Sequence, residues 1–204
     1  EAQIVINNRK AEIHPIAGTF KRTGNDEKDQ ITAKELAKDP KENSEHIMLV
    51  DLARNDLSRS GNNVKVEKNR EIQFYSHVIH LVSKVTATLK EGIKSYQVVE
   101  DTFPAGTLSG APKHKALELI EKYEKVNRNF YGGAIGFIDF SGNFNHAIII
   151  RSFFSKNNIL NYQAGAGIVI DSDPEKELEE VQNKLGALDK ALIEAELIKW
   201  KKYF

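Results

Sequence analysis

The chain has 204 residues, of which 40 % are hydrophobic, so it can bury a sizeable core in one domain or in two fused lobes. Its 29 basic residues equal its 29 acidic residues, which argues against nucleic acid or an acidic membrane and favours a small-molecule or protein partner. The lack of cysteine excludes disulfides, thiolate chemistry and cysteine-bound zinc. There is no signal-peptide pattern and no apolar run near the roughly 20 residues of a membrane span, so we expect a cytoplasmic protein.

The first predicted element is a β-hairpin from Gln3 to Ile13, because the pattern alternates weakly on both sides of an Asn-Asn turn. The segment Pro15–Thr19 follows. It exposes backbone N–H groups beside a hydroxyl, so it is either a plain turn or a carboxylate-binding site. Residues 20–43 are polar and charged, which predicts a surface excursion with a short helix near 33–37.

Ser44 is the predicted cap of a helix that continues through residue 57. Glu45, Leu49 and Leu52 fall on one face of this helix, which puts a carboxylate in line with core residues. Glu45 is therefore either a partner of the helix dipole or a ligand for a cation.

Residues 70–91 are rich in valine, isoleucine and threonine and predict a strand. Val78, His80, Val82 and Lys84 share one face of that strand. A histidine between two valines is either a satisfied core residue or a general acid/base held on a rigid element.

A loop of small residues spans 103–113 and leads into an amphipathic helix that carries Leu117, Ile120 and Tyr123. Glycines in such a loop let a ligand approach the backbone, and the following helix N-terminus suits an anion. The spacing is not that of a P-loop, so a nucleoside triphosphate is not indicated.

Three strands of an antiparallel meander are predicted at 131–140, 144–154 and 159–170, with turns at Ser141–Asn143 and at Lys156–Asn158. In this interpretation Arg151 shares a strand face with Ala147 and Ile149. A buried-facing arginine needs an anionic partner, either in the protein or on a ligand.

The last predicted element is a helix that starts at Ser172, Asp173 and Pro174, with Glu175 completing a capping box. Its apolar stripe consists of Leu178, Val181, Leu185, Leu188 and Leu192. The helix is expected to continue to Ala195 and a basic end at 199–202.

Three charged residues, Glu177, Glu180 and Lys184, follow one edge of that stripe, where core meets solvent. Glu180 and Lys184 form either an ordinary i,i+4 pair or, with Glu177, part of a site for a hard cation with oxygen ligands.

In their order, these motifs resemble the C-terminal catalytic part of the chorismate-utilising enzymes, and most closely the anthranilate synthase component I group. The matching segments are PIAGT (15–19), ELAKDPKENSEHIMLVDLARNDLSR (35–59), HLVSKV (80–85), FPAGTLSGAPK (103–113), YGGAIGF (131–137), AIIIRS (147–152) and QAGAGIVIDSDPEKELEEVQNK (163–184). The resemblance implies an α+β fold of layered antiparallel β-sheets flanked by helices. It also implies one catalytic domain over residues 1–204, without the N-terminal half of the family chain.

The implied activity is that of a lyase in tryptophan biosynthesis, which converts chorismate and ammonia into anthranilate and pyruvate with Mg²⁺. A glutamine amidotransferase subunit, component II, would supply the ammonia. Aminodeoxychorismate synthase component I is an alternative, but that group carries a nucleophilic lysine where this chain has Ala17. A noncatalytic chorismate-binding fragment is another alternative, and the chain without its N-terminal half is expected to be inactive or to self-associate.

The resemblance also assigns roles to individual residues. Those matching the magnesium ligands are Glu45 and Glu180. Two residues match catalytic positions near the reacting groups: His80 is placed for the elimination, and Glu1 aligns weakly with a proton donor. Two more match catalytic positions at the metal: Glu177 is an acid of the magnesium site, and Lys184 lies at the magnesium end of the pocket. Those matching substrate-binding positions are Gly18, Thr19 and Thr107 for the ring carboxylate, and Tyr131, Arg151, Gly165, Ala166 and Gly167 for the enolpyruvyl carboxylate.

Overall fold

The computed structural model describes residues 1–75, 78–170 and 172–197, except for the side chain of Thr19. The chain forms two compact units. The first unit comprises Glu1–Lys125 and Ala134–Ile148. The second unit comprises Val126–Gly133 and the described residues from Ile149 onward. The two units are therefore treated separately below.

The helices and strands are numbered in chain order. Those of the first unit are β1 (Ala2–Asn7), β2 (Lys10–Ile13), β3 (Ile16–Lys21), α1 (Asp26–Lys38), α2 (Pro40–Ser60), β4 (Gly61–Phe74), β5 (Val78–Leu89), α3 (Ser95–Thr102), a 3₁₀ turn (Gly106–Leu108), α4 (Lys113–Tyr123), β6 (Ala134–Ile138) and β7 (Phe144–Ile148). Those of the second unit are β8 (Phe154–Lys156), β9 (Ile159–Asn161) and α5 (Pro174–Leu197). The predicted α+β class, with antiparallel sheets and flanking helices, is confirmed.

Among the described residues of the first unit, seven strands form one antiparallel sheet, in which β5 pairs with three others. Along one side of β5 lies β4, and along the other lie β3 and β2, one after the other. The sheet then continues through β1 and β7 to β6. The positions of β2, β3 and β4 in the sheet are therefore all set by their pairing with β5.

The predicted N-terminal hairpin is confirmed. Val5 pairs with Glu12 and Ile6 with Ala11, and the turn residue Asn8 has a φ of 47°. Asparagine tolerates this left-handed conformation better than most residues, which is why Asn-rich turns close hairpins of this kind.

The helix predicted to have its cap at Ser44 starts at Pro40, so its cap lies five residues earlier than predicted. Asp39 is its N-cap, and its carboxylate accepts a hydrogen bond from the Glu42 amide at 3.0 Å. An aspartate followed by proline at the first helical position is a stronger start signal than the serine inside the helix. Ser44 is therefore an exposed interior residue of α2.

The prediction that residues 20–43 are a surface excursion is wrong, although the short helix predicted near 33–37 lies inside a longer helix. The segment contains the end of β3 and the thirteen-residue helix α1, which buries Ala33 and Leu36 against Ile79 and Leu81. The misleading signal is the polarity of the segment, since Asp29 is fully buried yet hydrogen-bonded to neighbouring residues. Its charge is satisfied, so it costs the core little.

The predicted three-stranded meander is only partly present. The first two strands pair as β6 and β7, with Ile135 opposite Ala147. The third does not form as predicted, because β9 ends at Asn161 and residues 162–170 have no regular secondary structure. Instead β9 pairs with β8, at Ser155 opposite Leu160.

Helix α5 is confirmed through Leu197, and the predicted basic end at 199–202 lies outside the described residues. Its cap is Asp173, whose carboxylate accepts hydrogen bonds from the amides of residues 175 and 176. The predicted capping box is therefore wrong, because the Ser172 hydroxyl accepts from the Val169 amide instead.

The apolar stripe of α5 is packed unevenly. Leu188 is buried, but Leu178 is 59 % exposed. Glu177, predicted at the boundary of core and solvent, is only 4 % exposed. The packed face is therefore rotated toward Glu177. None of the described helices is both long enough and apolar enough to cross a membrane.

A buried histidine links helix α2 to the sheet. His46 is fully buried, and its Nε2 lies 2.6 Å from the hydroxyl of Ser83. The same hydroxyl accepts a hydrogen bond from the Arg70 amide at 2.9 Å. Burial, followed by the charge of Arg70, lowers the pKa of His46 from 6.5 to about 4.

We expect the folded chain to lose stability as the pH falls from 6.5 toward 4. In that range the unfolded chain binds a proton at His46 that the folded chain excludes, which lowers the free energy of unfolding by about 3 kcal/mol at pH 4 relative to pH 7. Urea unfolding of the parent and of His46→Gln at several pH values measures this, with the exposed His114→Gln as control. An equal pH slope for parent and His46→Gln would contradict the expectation.

Candidate functional site

His80 lies on β5 with a hydrogen-bond partner on the neighbouring strand. Its Nδ1 is 2.9 Å from the carbonyl oxygen of Gly18, and its ring meets that of Tyr75 edge-on at 5.5 Å. A carbonyl oxygen can only accept, so Nδ1 carries the proton of this bond. Any acid/base chemistry of this imidazole therefore falls to Nε2.

Gly18 occupies an irregular position in β3, where the register with β5 shifts between Ala17 and Thr19. Its φ is +65°, and a Cβ atom there would lie 2.5 Å from Cδ1 of Leu36. Both features require glycine. The backbone of Thr19 pairs with His80, whereas its side chain is outside the described structure. The predicted residues Gly18, Thr19 and His80 are therefore adjacent on two paired strands.

Glu45 lies in the second turn of α2 and is half-buried. The predicted alignment with the core face is confirmed, since Leu49 and Leu52 are 6 % and 8 % exposed. The carboxylate of Glu45 is thus carried by a helix whose neighbouring turns are packed against the sheet.

Thr107 and Glu1 line one cavity of the first unit, with a volume of about 40 Å³. Gln3, His14 and Asp56 line it too, and the sequence patterns did not single them out. A signal for Asp56 existed, because its position continues the helical spacing of the residues at 45, 49 and 52. Burial raises the pKa of Asp56, and the ammonium of the bonded lysine at position 113 opposes that shift.

Four predicted residues of the second unit are linked by contacts. The Lys184 ammonium lies 2.6 Å from Oε1 of Glu180 and donates a hydrogen bond to the Gly165 carbonyl at 2.9 Å. A Cβ atom at Gly165 would lie 3.5 Å from the hydroxyl of Tyr131. Lys184 therefore joins helix α5 to the glycine-rich segment, which also contains Ala166 and Gly167.

The prediction for Arg151 is wrong in its structural part. Strand β7 ends at Ile148, and Arg151 follows it as an exposed residue with a φ of +50°. It shares no strand face with Ala147 and Ile149. The cause is that the apolar run 147–150 continues the strand pattern past the last paired residue.

The side chains predicted to hold a cation are carboxylates, the oxygen donors that Mg²⁺ prefers. Glu180 already holds one cation, the ammonium of Lys184. Within the described ranges, no group of three or more histidine, aspartate or glutamate side chains lies close enough together to hold a metal ion. The chemistry of the predicted donors fits a hard divalent cation.

Residues 1–190 match the family described as chorismate binding enzyme. The chain is 48 % identical over 200 residues to anthranilate synthase component 1 of Mycobacterium bovis, covering 97 % of this chain and 39 % of that protein. It is 47 % identical over 198 residues to the Bacillus subtilis protein of the same name, covering 96 % and 38 %.

A solved structure, anthranilate synthase component I from Streptococcus pneumoniae, superimposes with a TM-score of 0.81 at 38 % identity over 90 % of this chain and 41 % of that one. The chain thus spans about two fifths of the length of the curated relatives that it matches. The ordered motifs and the fold lead to the same conclusion as these similarities. The chain belongs to the family of chorismate binding enzymes.

Proposed function

We propose that this chain is the catalytic portion of an anthranilate synthase component I. The reaction converts chorismate and ammonia into anthranilate, pyruvate and water. The observation that carries the proposal is the 47–48 % identity, over 96–97 % of the chain, to relatives named anthranilate synthase component 1. The pathway role follows from this assignment and is the first step of tryptophan biosynthesis.

Ala17 favours this activity over aminodeoxychorismate formation. The resemblance assigns a nucleophilic lysine of aminodeoxychorismate synthases to this position. Ala17 is 6 % exposed and carries no group that could form a covalent adduct. Within the family, the side chain at 17 therefore supports direct addition of ammonia.

We propose Mg²⁺ as the cofactor, with Glu45 and Glu180 as its ligands and Glu177 as a neighbouring acid. The bound ion supplies Lewis-acid stabilisation of the ring carboxylate and a template for the substrate. The support from the chain itself is the chemistry of the donors, which are carboxylate oxygens, the ligands that Mg²⁺ prefers.

The acid/base roles fall to His80 and Glu1. The Gly18 carbonyl fixes the imidazole of His80 through Nδ1, so that proton transfer to the departing C4 hydroxyl takes place at Nε2. Glu1 is the proposed proton donor of the second half of the reaction. A histidine with one nitrogen held by a carbonyl is restricted to one ring orientation, which suits a directed proton transfer.

We propose that two groups of residues bind the two carboxylates of chorismate. Gly18, Thr19 and Thr107 would bind the ring carboxylate. Tyr131 and Arg151 would bind the enolpyruvyl carboxylate, together with backbone N–H groups of Gly165–Gly167. The Lys184 bond to the Gly165 carbonyl supports this proposal, because it holds that segment of backbone in one conformation.

The proposed partner is a glutamine amidotransferase subunit that supplies ammonia, as the component number in the relatives' names suggests. The proposed location is the cytoplasm, where chorismate and glutamine are both available. No nucleic acid or membrane partner is proposed.

The test is to express the complete reading frame that encodes this chain, to mix that protein with chorismate, MgCl₂ and ammonium at mildly alkaline pH, and to follow anthranilate fluorescence. We expect anthranilate and an equal amount of pyruvate. Aminodeoxychorismate as the product would overturn the proposed activity. Calorimetric binding of chorismate and Mg²⁺ without turnover would support a noncatalytic binding protein instead.

A further inference from the structure

Lys113 bonds to two other parts of the first unit, one of them far away in sequence. Its ammonium lies 2.6 Å from Oδ2 of Asp56, which is 57 residues away on α2. It also donates a hydrogen bond to the carbonyl oxygen of Thr102 at 2.8 Å. The Asp56 side chain is 6 % exposed and the Lys113 side chain 17 %, so this ion pair is mostly removed from solvent.

The hydrogen bond between Lys113 and Thr102 connects the two ends of the loop 103–112. Thr102 is the last residue of α3 and Lys113 is the first residue of α4. Their hydrogen bond therefore closes the base of the loop. Gln3 donates to the same Thr102 carbonyl at 3.2 Å, which ties the base to β1 as well.

The tip of the loop packs directly on helix α2. A Cβ atom at Gly106 would lie 2.8 Å from a methyl group of Leu52 and 3.2 Å from one of Leu49. The backbone can approach the helix this closely only because residue 106 has no side chain. Thr107 follows immediately, in the 3₁₀ turn, and lines the cavity that also contains Asp56.

We propose that Asp56 and Lys113 are positioning residues, which hold the loop 103–112 on helix α2 so that Thr107 is in place to bind the substrate's ring carboxylate. This inference rests on the proposed function for the identity of the ligand. The placement of the loop itself rests on the contacts above. Lys113 closes the loop, and Asp56 fixes the closed loop to the helix that also carries Glu45.

The opposite charges of Asp56 and Lys113 allow a role in positioning to be tested separately from a role in stability. An ammonium has three donors, and Lys113 uses two of them on acceptors that lie on different helices. Removing one member of a buried pair leaves the other charge without compensation, whereas removing both does not. This asymmetry separates a role in positioning from a role in stability alone.

The first measurement needs no ligand. In the double variant Asp56→Asn/Lys113→Met, we expect the amides of Leu108 and Ser109 to exchange with deuterium at least about tenfold faster than in the parent. These amides donate to the carbonyls of Ala105 and Gly106 within the loop. The control is Lys115→Met on the same helix, whose exposed ammonium bonds Glu118.

The second measurement is steady-state kinetics with chorismate. The double variant is expected to melt close to the parent, with the KM for chorismate raised about tenfold and kcat nearly unchanged. Lys113→Met alone is expected to melt at a clearly lower temperature. Thr107→Val should raise KM in the parent but have a smaller effect in the double variant, because Thr107 is already displaced there.

The outcomes separate the two proposals. Parental exchange rates at residues 108 and 109, or a parental KM in a double variant that melts like the parent, would overturn the positioning role. Full additivity of the Thr107→Val and double-variant effects on KM would also overturn it. If the parent itself makes no anthranilate, the proposed function fails, and the exchange measurement still decides whether the ion pair holds the loop.

Discussion

Glu180→Gln is expected to abolish anthranilate formation while the protein stays folded. The substitution keeps the size and shape of the side chain but removes the negative charge that a divalent cation needs. Loss of the cation's stabilisation of the transition state is expected to lower kcat/KM by at least about 1,000-fold. Folding should change little, because the Glu180 side chain is 44 % exposed and its contact with Lys184 is an i,i+4 surface pair.

Glu179→Gln is the matched control, since Glu179 is an exposed neighbour on the same helix. Both variants should have parental melting temperatures and circular dichroism. Calorimetric titration with Mg²⁺ separates a metal role from an indirect effect through Lys184. A metal ligand loses Mg²⁺ affinity when it becomes glutamine, whereas an indirect effect leaves the affinity unchanged. Near-parental activity of Glu180→Gln would show that the proposed metal site is wrong.

Local sequence patterns correctly predicted the secondary-structure elements whose geometry depends on only a few neighbouring residues. The hairpin formed as predicted, with its turn one residue later, at Asn8 and Arg9, because two neighbouring strands and a permissive turn residue decide it. The same holds for helix α5, which begins at Pro174. Helix starts were misplaced where two capping residues competed, as at Asp39 and Ser44.

Local sequence patterns gave wrong predictions where contacts with distant parts of the chain decide the structure. The run Ile168–Ile170 has strong β propensity, but β propensity reflects packing against a neighbouring strand. These residues are not in a strand, and Ile168 is 75 % exposed. Conversely, Glu177 is buried although its pattern position suggested a boundary. A single sequence does not show which face of a helix meets the rest of the protein.

Residue types and motif order were sufficient to propose a candidate site, and the roles of its residues stay a prediction. The adjacency of Gly18 and His80 depends on the pairing of β3 with β5, which the motifs alone did not specify. The ion pair of Asp56 and Lys113 was missed, because charged residues 57 apart carry no local pattern. Arg151 was assigned by motif, yet its backbone lies outside the strand that periodicity suggested.

His80→Gln is expected to lower kcat by about 100- to 10,000-fold, with a much smaller change in the KM for chorismate. Glutamine can still donate a hydrogen bond to the Gly18 carbonyl, so the contact between β3 and β5 survives. What it lacks is an imidazole nitrogen that can both give up and accept a proton. The pH profile of kcat should therefore lose the limb that belongs to the imidazole, while the melting temperature stays near that of the parent.

The matched control is His114→Gln, a histidine on α4 whose side chain is 94 % exposed. It should leave kcat, KM and the pH profile unchanged. If His80→Gln keeps kcat within about threefold of the parent, then His80 is a satisfied core residue, as its place between two valines on β5 also allows. A large loss of kcat with the pH limb intact would mean that the imidazole orients substrate without transferring a proton. Only loss of both supports acid/base chemistry at Nε2, since a packing role accounts for a change in rate but not for the loss of a titrating group.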